Sequence, residues 1–207
     1  LRMIAGVIAA VSFGLSDIVW SHAGAPRVYA LAELFIAVLL FLFLRWINTK
    51  NIKYLYVFFF MWGLSLGVHN LLILVGLFPL YYWLSNRKEL HFRWMPTILA
   101  VTLFIVPLLQ YLYIPWANAN TELLVSYGNF DTFSGYIDYF TSEQYRSVIG
   151  SRNIAEYAQS FWIMIKLLFF DVSPFIFILA LGGMAVAYKR YKLWFYLMIS
   201  ILFANFF

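Results

Sequence analysis

Between Val28 and Ile47 the chain runs for 20 residues with one acid, Glu33, and one base, Arg45. Residues 94–113 do the same with no charge at all. A helix of about 20 apolar residues matches the ~30 Å hydrocarbon core of a bilayer. Further apolar segments lie at 3–20, 54–84, 154–170, 173–188 and 193–207. The 207 residues are 64% hydrophobic and 11% charged, where soluble domains run at roughly 45–50% and 25%. A globule of this size could not hide so much apolar surface from water. Soluble enzymes, nucleic-acid readers and disordered tails are thereby excluded. The chain has no Cys, which removes disulfides, thiolate nucleophiles and Cys-ligated metals. Beginning at Leu1 and stopping inside the apolar run Ile201–Phe207, it reads as an excerpt of a longer protein.

The stretch 54–84 is long for one crossing and short for two. Gly63-Leu64-Ser65-Leu66-Gly67 at its middle predicts a break into two short helices, 54–67 and 69–84. Such breaks survive at membrane depth when other protein shields them or they line a wet cavity. The net charge of +5 then reflects topology rather than a polyanion partner. If Arg2 is cytoplasmic and 154–170 lies in the interface, ten of the 14 basic residues fall inside. The outer four are Arg27, Arg146, Arg152 and Lys166. The expected architecture is an all-α polytopic membrane protein of about seven spans. About five occupy residues 1–113, a larger outer loop 114–153, an interfacial amphipathic helix 154–170, and two further spans 171–207. For the 154–170 segment, Ile154, Ala158, Phe161, Trp162, Ile165, Leu168 and Phe169 form one stripe, which also allows an eighth crossing.

No Walker motif, nucleophile elbow, dinucleotide fingerprint or paired-His metal spacing is present. His22 and His69 have no accompanying ligands, so neither metal nor cofactor is expected. Gly182-Gly183 reads as a small-residue pair for close helix packing. The outer span ends are richer: Asp17, Trp20, His22, Arg27, Tyr29 and Glu33 cluster around the first two, and His69-Asn70 follows the break. Ionisable groups at the edge of hydrocarbon are expensive, which gives functional roles some weight. Arg27 and His22 suit a phosphate, and Asp17 or Glu33 suit a base. Mutual pairing of Arg27 with Asp17 or Glu33 is the plainer alternative. The polar stretch from Asn118 to Gln159 holds Tyr127, Tyr136, Tyr139, Tyr145 and Tyr157, a density typical of an aromatic belt or a sugar-stacking surface.

Three blocks carry a resemblance. They are Phe13–Ala23 with Val28–Leu31, then Gly63–His69, then Tyr127-Gly128-Asn129 with Phe133 and Glu143–Arg146. In this order they resemble a bacterial multi-spanning family related to the eukaryotic transmembrane O-mannosyltransferases of plexin-type receptors. The likeness runs from about residue 5 to residue 190. Arg27 stands where the family has an acid, Tyr127 where it has Trp, and Phe130 where it has Pro. The resemblance implies a GT-C-like helical bundle that takes a sugar from a polyprenyl-phosphate carrier on the outer membrane face. It implies a catalytic acid in a loop upstream of the first matching block. Asp17 is a reserve acid. His22, Arg27, His69, Asn70, Asn129 and Arg146 would contact phosphate or sugar, with Trp20, Tyr29 and Tyr145 as walls. The expected partners are membrane lipids, the lipid-linked sugar and other members of a membrane complex, with no nucleic acid. The expected location is a bacterial inner membrane with the large loop in the periplasm. Two other readings remain open here: a non-catalytic membrane subunit, favoured by Arg27 in place of the acid, and a lipid-linked substrate transporter, favoured by the broken 54–84 segment.

Overall fold

The computed structural model describes residues 2–24, 28–86, 94–120, 132–141, 143, 153–171, 173–192, 194–196 and 198–199. In chain order the helices are α1 (Arg2–Gly14), α2 (Asp17–Gly24), α3 (Tyr29–Thr49) and α4 (Ile52–Leu66). A 3-10 segment, Asn70–Gly76, leads into α5 (Leu77–Asn86). Then α6 (Trp94–Ile105) passes through a second 3-10 segment, Val106–Leu112, into α7 (Tyr113–Asn120). The last three are α8 (Phe133–Phe140), α9 (Ile154–Asp171) and α10 (Pro174–Arg190). No strand occurs among the described residues. The chain divides into two compact units, residues 31–151 and residues 1–30 with 152–207.

The first of these holds the core. Leu39, Phe43, Phe58 and Ser65 are its fully buried side chains. Phe43 of α3 meets Phe58 of α4 at 5.7 Å and Tyr82 of α5 at 5.9 Å between ring centroids. Trp62 of α4 meets Phe104 of α6 at 4.4 Å. Tilted and edge-on rings at these separations add to the burial of their area. Asn51 caps α4, its side chain accepting from the Lys53 amide at 3.1 Å. Before it, Lys50 closes α3 in the left-handed region at φ 54°, a conformation that costs a non-glycine residue about 1 kcal/mol or more.

In the other unit, Ser16 separates α1 from α2 and accepts from the Val19 amide at 3.2 Å. The α9 helix opens with a reciprocal cap: Asn153 Oδ1 accepts from the Glu156 amide and Glu156 Oε2 from the Asn153 amide, both at 2.9 Å. Glycines 182 and 183 of α10 have open space where a Cβ would stand, so the close packing expected of that pair is not found among the described residues.

Seven crossings are not what the described residues form. Two helices are long and apolar enough to span a bilayer, α3 with 21 residues and the continuous run Trp94–Asn120 with 27. The pair α9 and α10, bent by 115°, is a third only if taken as one broken span. Segment 3–20 fails because Ser16 stops it: a 13-residue α1 rises about 20 Å, short of the hydrocarbon core. Segment 54–84 breaks at Gly67–His69, and its first half, 15 residues, rises about 23 Å. Segment 193–207 lies largely outside the described residues.

Candidate functional site

The break after α4 determines the site. A helix end leaves up to four carbonyls without an intrahelical donor, and in an apolar setting water does not fill the gap. Here the Gly67 amide turns to Leu64 O at 3.2 Å, one residue short of its α-helical partner, Gly63 O. Gln110 supplies what is lost. Its Nε2 donates to Gly63 O at 3.3 Å and Leu64 O at 3.2 Å. The adjacent Tyr111 hydroxyl donates to Leu66 O at 2.7 Å and lies 3.1 Å from Asn70 Oδ1. Two neighbouring side chains of one helix thus cap the end of another.

This arrangement needs α4 and the Trp94–Asn120 helix to touch closely, and glycine allows it. A Cβ on Gly63 would run into the backbone carbonyl of Phe104, and one on Gly67 into the Gln110 amide. Further along, a Cβ on Gly76 would meet the Trp62 ring, whose indole N–H donates to Leu72 O at 2.8 Å. The Gly-x-x-x-Gly spacing therefore serves close approach of two helices, and the break itself comes just beyond it.

His69 and Asn70 stand at this capped end. His69 Nδ1 accepts from the Leu71 amide at 3.2 Å and so opens the 3-10 segment. With Nδ1 taken up as an acceptor, Nε2 is the ring nitrogen left to donate. Asn70 Nδ2 donates to Phe140 O at 3.3 Å, which ties the end of α8 to the site. The Phe140 ring stands edge-on to Tyr111 at 4.9 Å. Pro115 has no N–H to give the carbonyl four residues back, that of Tyr111. Tyr136 of α8 donates its hydroxyl to that carbonyl at 2.9 Å. The result is a polar rim of His69, Asn70, Tyr111 and Tyr136, covered by one short helix.

Burial raises the pKa of Tyr136 above the ordinary tyrosine value. A raised value favours the protonated, docked hydroxyl. Its contribution to stability is complete below pH ~10, the ordinary tyrosine value, and is lost as pH rises through the higher folded value. Tyrosinate has no proton to give to Tyr111 O. The protection of the α8 amides, taken relative to the intrinsic exchange rate at each pH, is therefore expected to fall above pH ~10 in the native chain, and Tyr136→Phe should show that lower protection already at neutral pH. Protection factors that ignore both pH and the substitution would show that the contact does not hold α8.

The residues singled out from sequence fall into three groups. His69 and Asn70 are brought together with Tyr111 and Tyr136, as described. Asp17 and Trp20 lie in α2 of the other unit, with Tyr29 at the start of α3. Asp17 and Trp20 are exposed, and the Trp20 indole N–H donates to Gly14 O at 2.8 Å, which staples the α1–α2 break. His22 lies in α2, and its side chain, like Arg27, Asn129, Tyr145 and Arg146, falls outside what is described. Gln110 and Tyr111 were not among the sequence candidates. A signal existed: Gln110 is the one amide side chain in the uncharged run 94–113, and a lone amide at that depth is costly unless bonded.

Residues 1–91 match the family model of the protein O-mannosyl-transferase TMEM260 N-terminal domain. The match takes in both the Phe13–Leu31 and the Gly63–His69 blocks and ends at His91, short of Gln110 and Tyr111. No curated protein and no solved structure matches the chain. The similarity is to a glycosyltransferase family, and the apolar helices agree with a membrane protein.

Proposed function

We propose that this chain forms part of a GT-C-like membrane glycosyltransferase that moves a sugar from a polyprenyl-phosphate carrier to a hydroxyl of a protein or glycan. The observation that carries the reading is the O-mannosyltransferase match over residues 1–91, with His69 and Asn70 inside it and held at a capped, polar helix end. In such a transfer the acceptor oxygen bonds to the anomeric carbon as the bond from that carbon to the phosphate oxygen breaks. The acceptor's proton goes to a carboxylate base, and the electron pair leaves with the lipid phosphate. Donors fixed before the reaction stabilise that departing charge. His69 Nε2–H is such a donor, anchored through Nδ1, and Asn70 is positioned by Tyr111 and α8. The His69 end of α4 would then face away from the cytosol, toward the periplasm in a bacterial inner membrane.

His69→Asn separates chemistry from folding, because Asn caps a helix start as His69 does here while lacking the imidazole. In the full-length protein, transfer of mannose from a polyprenyl-phosphate mannose should fall by at least about tenfold, the loss of one charge-directed hydrogen bond. The thermal midpoint should stay unchanged. Full turnover in both His69→Asn and His69→Ala would remove His69 from the reaction.

A further inference from the structure

A second feature runs along α4 from Ile52 to Trp62. A cavity of about 670 Å³ opens between α4, α5 and α6, a volume in the range of ligand-binding sites. Leu55, Phe59, Trp62, Leu80 and Ala100 form its walls, and Trp83 stands at the opening, 46% exposed. Lys50 is the one charged residue among the described residues that line it. Its Nζ bonds to the Tyr82 hydroxyl at 2.6 Å and sits 5.2 Å from that ring's centroid. Arg45 near the end of α3 and Lys53 at the start of α4 flank it in sequence, both exposed. Among the described residues no carboxylate pairs with any of these three cations; Arg45 has only the Tyr54 hydroxyl and ring.

Lys50 also occupies a left-handed position that glycine fills without strain. A lysine there, lining an otherwise apolar cleft, suits an amphiphile with an apolar chain and a negative head. We propose that this groove holds one acyl chain of an anionic membrane phospholipid, with its phosphate bound by Lys50 and attracted by Arg45 and Lys53. Lys50 precedes α4 and His69 follows it, so a lipid whose phosphate sits at Lys50 is a resident of the fold and not the sugar donor. The inference needs only that the chain is embedded in a membrane.

The test uses the purified full-length protein in detergent and native mass spectrometry with phosphatidylglycerol, phosphatidylcholine and undecaprenyl phosphate. One phosphatidylglycerol should be retained about tenfold over phosphatidylcholine, and its addition should raise the thermal midpoint. Lys50→Gly removes the amine while relaxing the turn, so the chain should fold, lose that preference and lose the thermal response. Lys50→Arg should keep both. Val101→Trp, which fills the groove wall, should release either phospholipid. Equal retention of the two phospholipids, an unaltered preference in Lys50→Gly, or displacement of phosphatidylglycerol by undecaprenyl phosphate at equal concentration would each overturn the assignment.

Discussion

Gly63→Val is expected to separate α4 from α6. The added carbon falls on the Phe104 carbonyl, which belongs to backbone and cannot rotate aside. One of the two helices must move, and the ring contact between Trp62 and Phe104 and both Gln110 bonds to α4 go with it. Overpacking a core costs about 1–3 kcal/mol when side chains give way, and backbone against backbone belongs at or above the upper end. For a chain of this size that corresponds to a fall in the thermal midpoint of about 10 °C. Gly182→Ala is the matched control, since nothing in the structure opposes a Cβ there. It should be neutral or stabilising by up to about 1 kcal/mol through helix propensity alone. Thermal unfolding of both variants, followed by tryptophan fluorescence in one detergent, would expose the opposite ranking if the helix contact were wrong.

The second large effect is expected from Gln110→Met combined with Tyr111→Phe. The two changes keep volume and remove the side-chain donors to Gly63 O, Leu64 O and Leu66 O, of which Leu64 O keeps the Gly67 amide. A buried carbonyl stripped of its partner costs about 1–3 kcal/mol. Each single variant should lie in that range, and the pair should come close to their sum unless the helix end rearranges. Hydrogen exchange locates the damage. The amides of Val68, His69 and Leu72, which bond back to Ser65 O and His69 O, should lose protection, while the middle of α3 keeps it. Because His69 and Asn70 sit on this end, transfer activity in the full-length protein should fall with them. A double variant with native protection at residues 68–72 would show that the break is held by something other than these side chains.

Much of this was legible beforehand and some was not. Membrane embedding follows from arithmetic, because twenty apolar residues in a row satisfy their own backbone only as a helix and their side chains only in lipid or a core. The break near Gly67 was visible for the same reason, since glycine and polar residues interrupt an apolar run. Hydropathy alone overstates the number of crossings, because it measures what a segment dissolves in, not where its helix stops. Ser16 ends α1, and Gly67 with His69 ends α4, long before the bilayer is crossed. Gly182-Gly183 and Gly63-x-x-x-Gly67 look alike as small-residue spacings, yet only the second has a backbone against it.

The sequence by itself determined the class of the protein, its family likeness and the two long helices, since these depend on neighbours within one stretch of chain. The tertiary structure decided that Gln110 and Tyr111, more than 40 residues from the carbonyls they cap, complete the end of α4, and that Tyr136 fills the place left by Pro115. Those pairings join segments far apart in the chain. Nothing local encodes them; they exist because an unsatisfied backbone group in an apolar interior must find a donor wherever packing brings one.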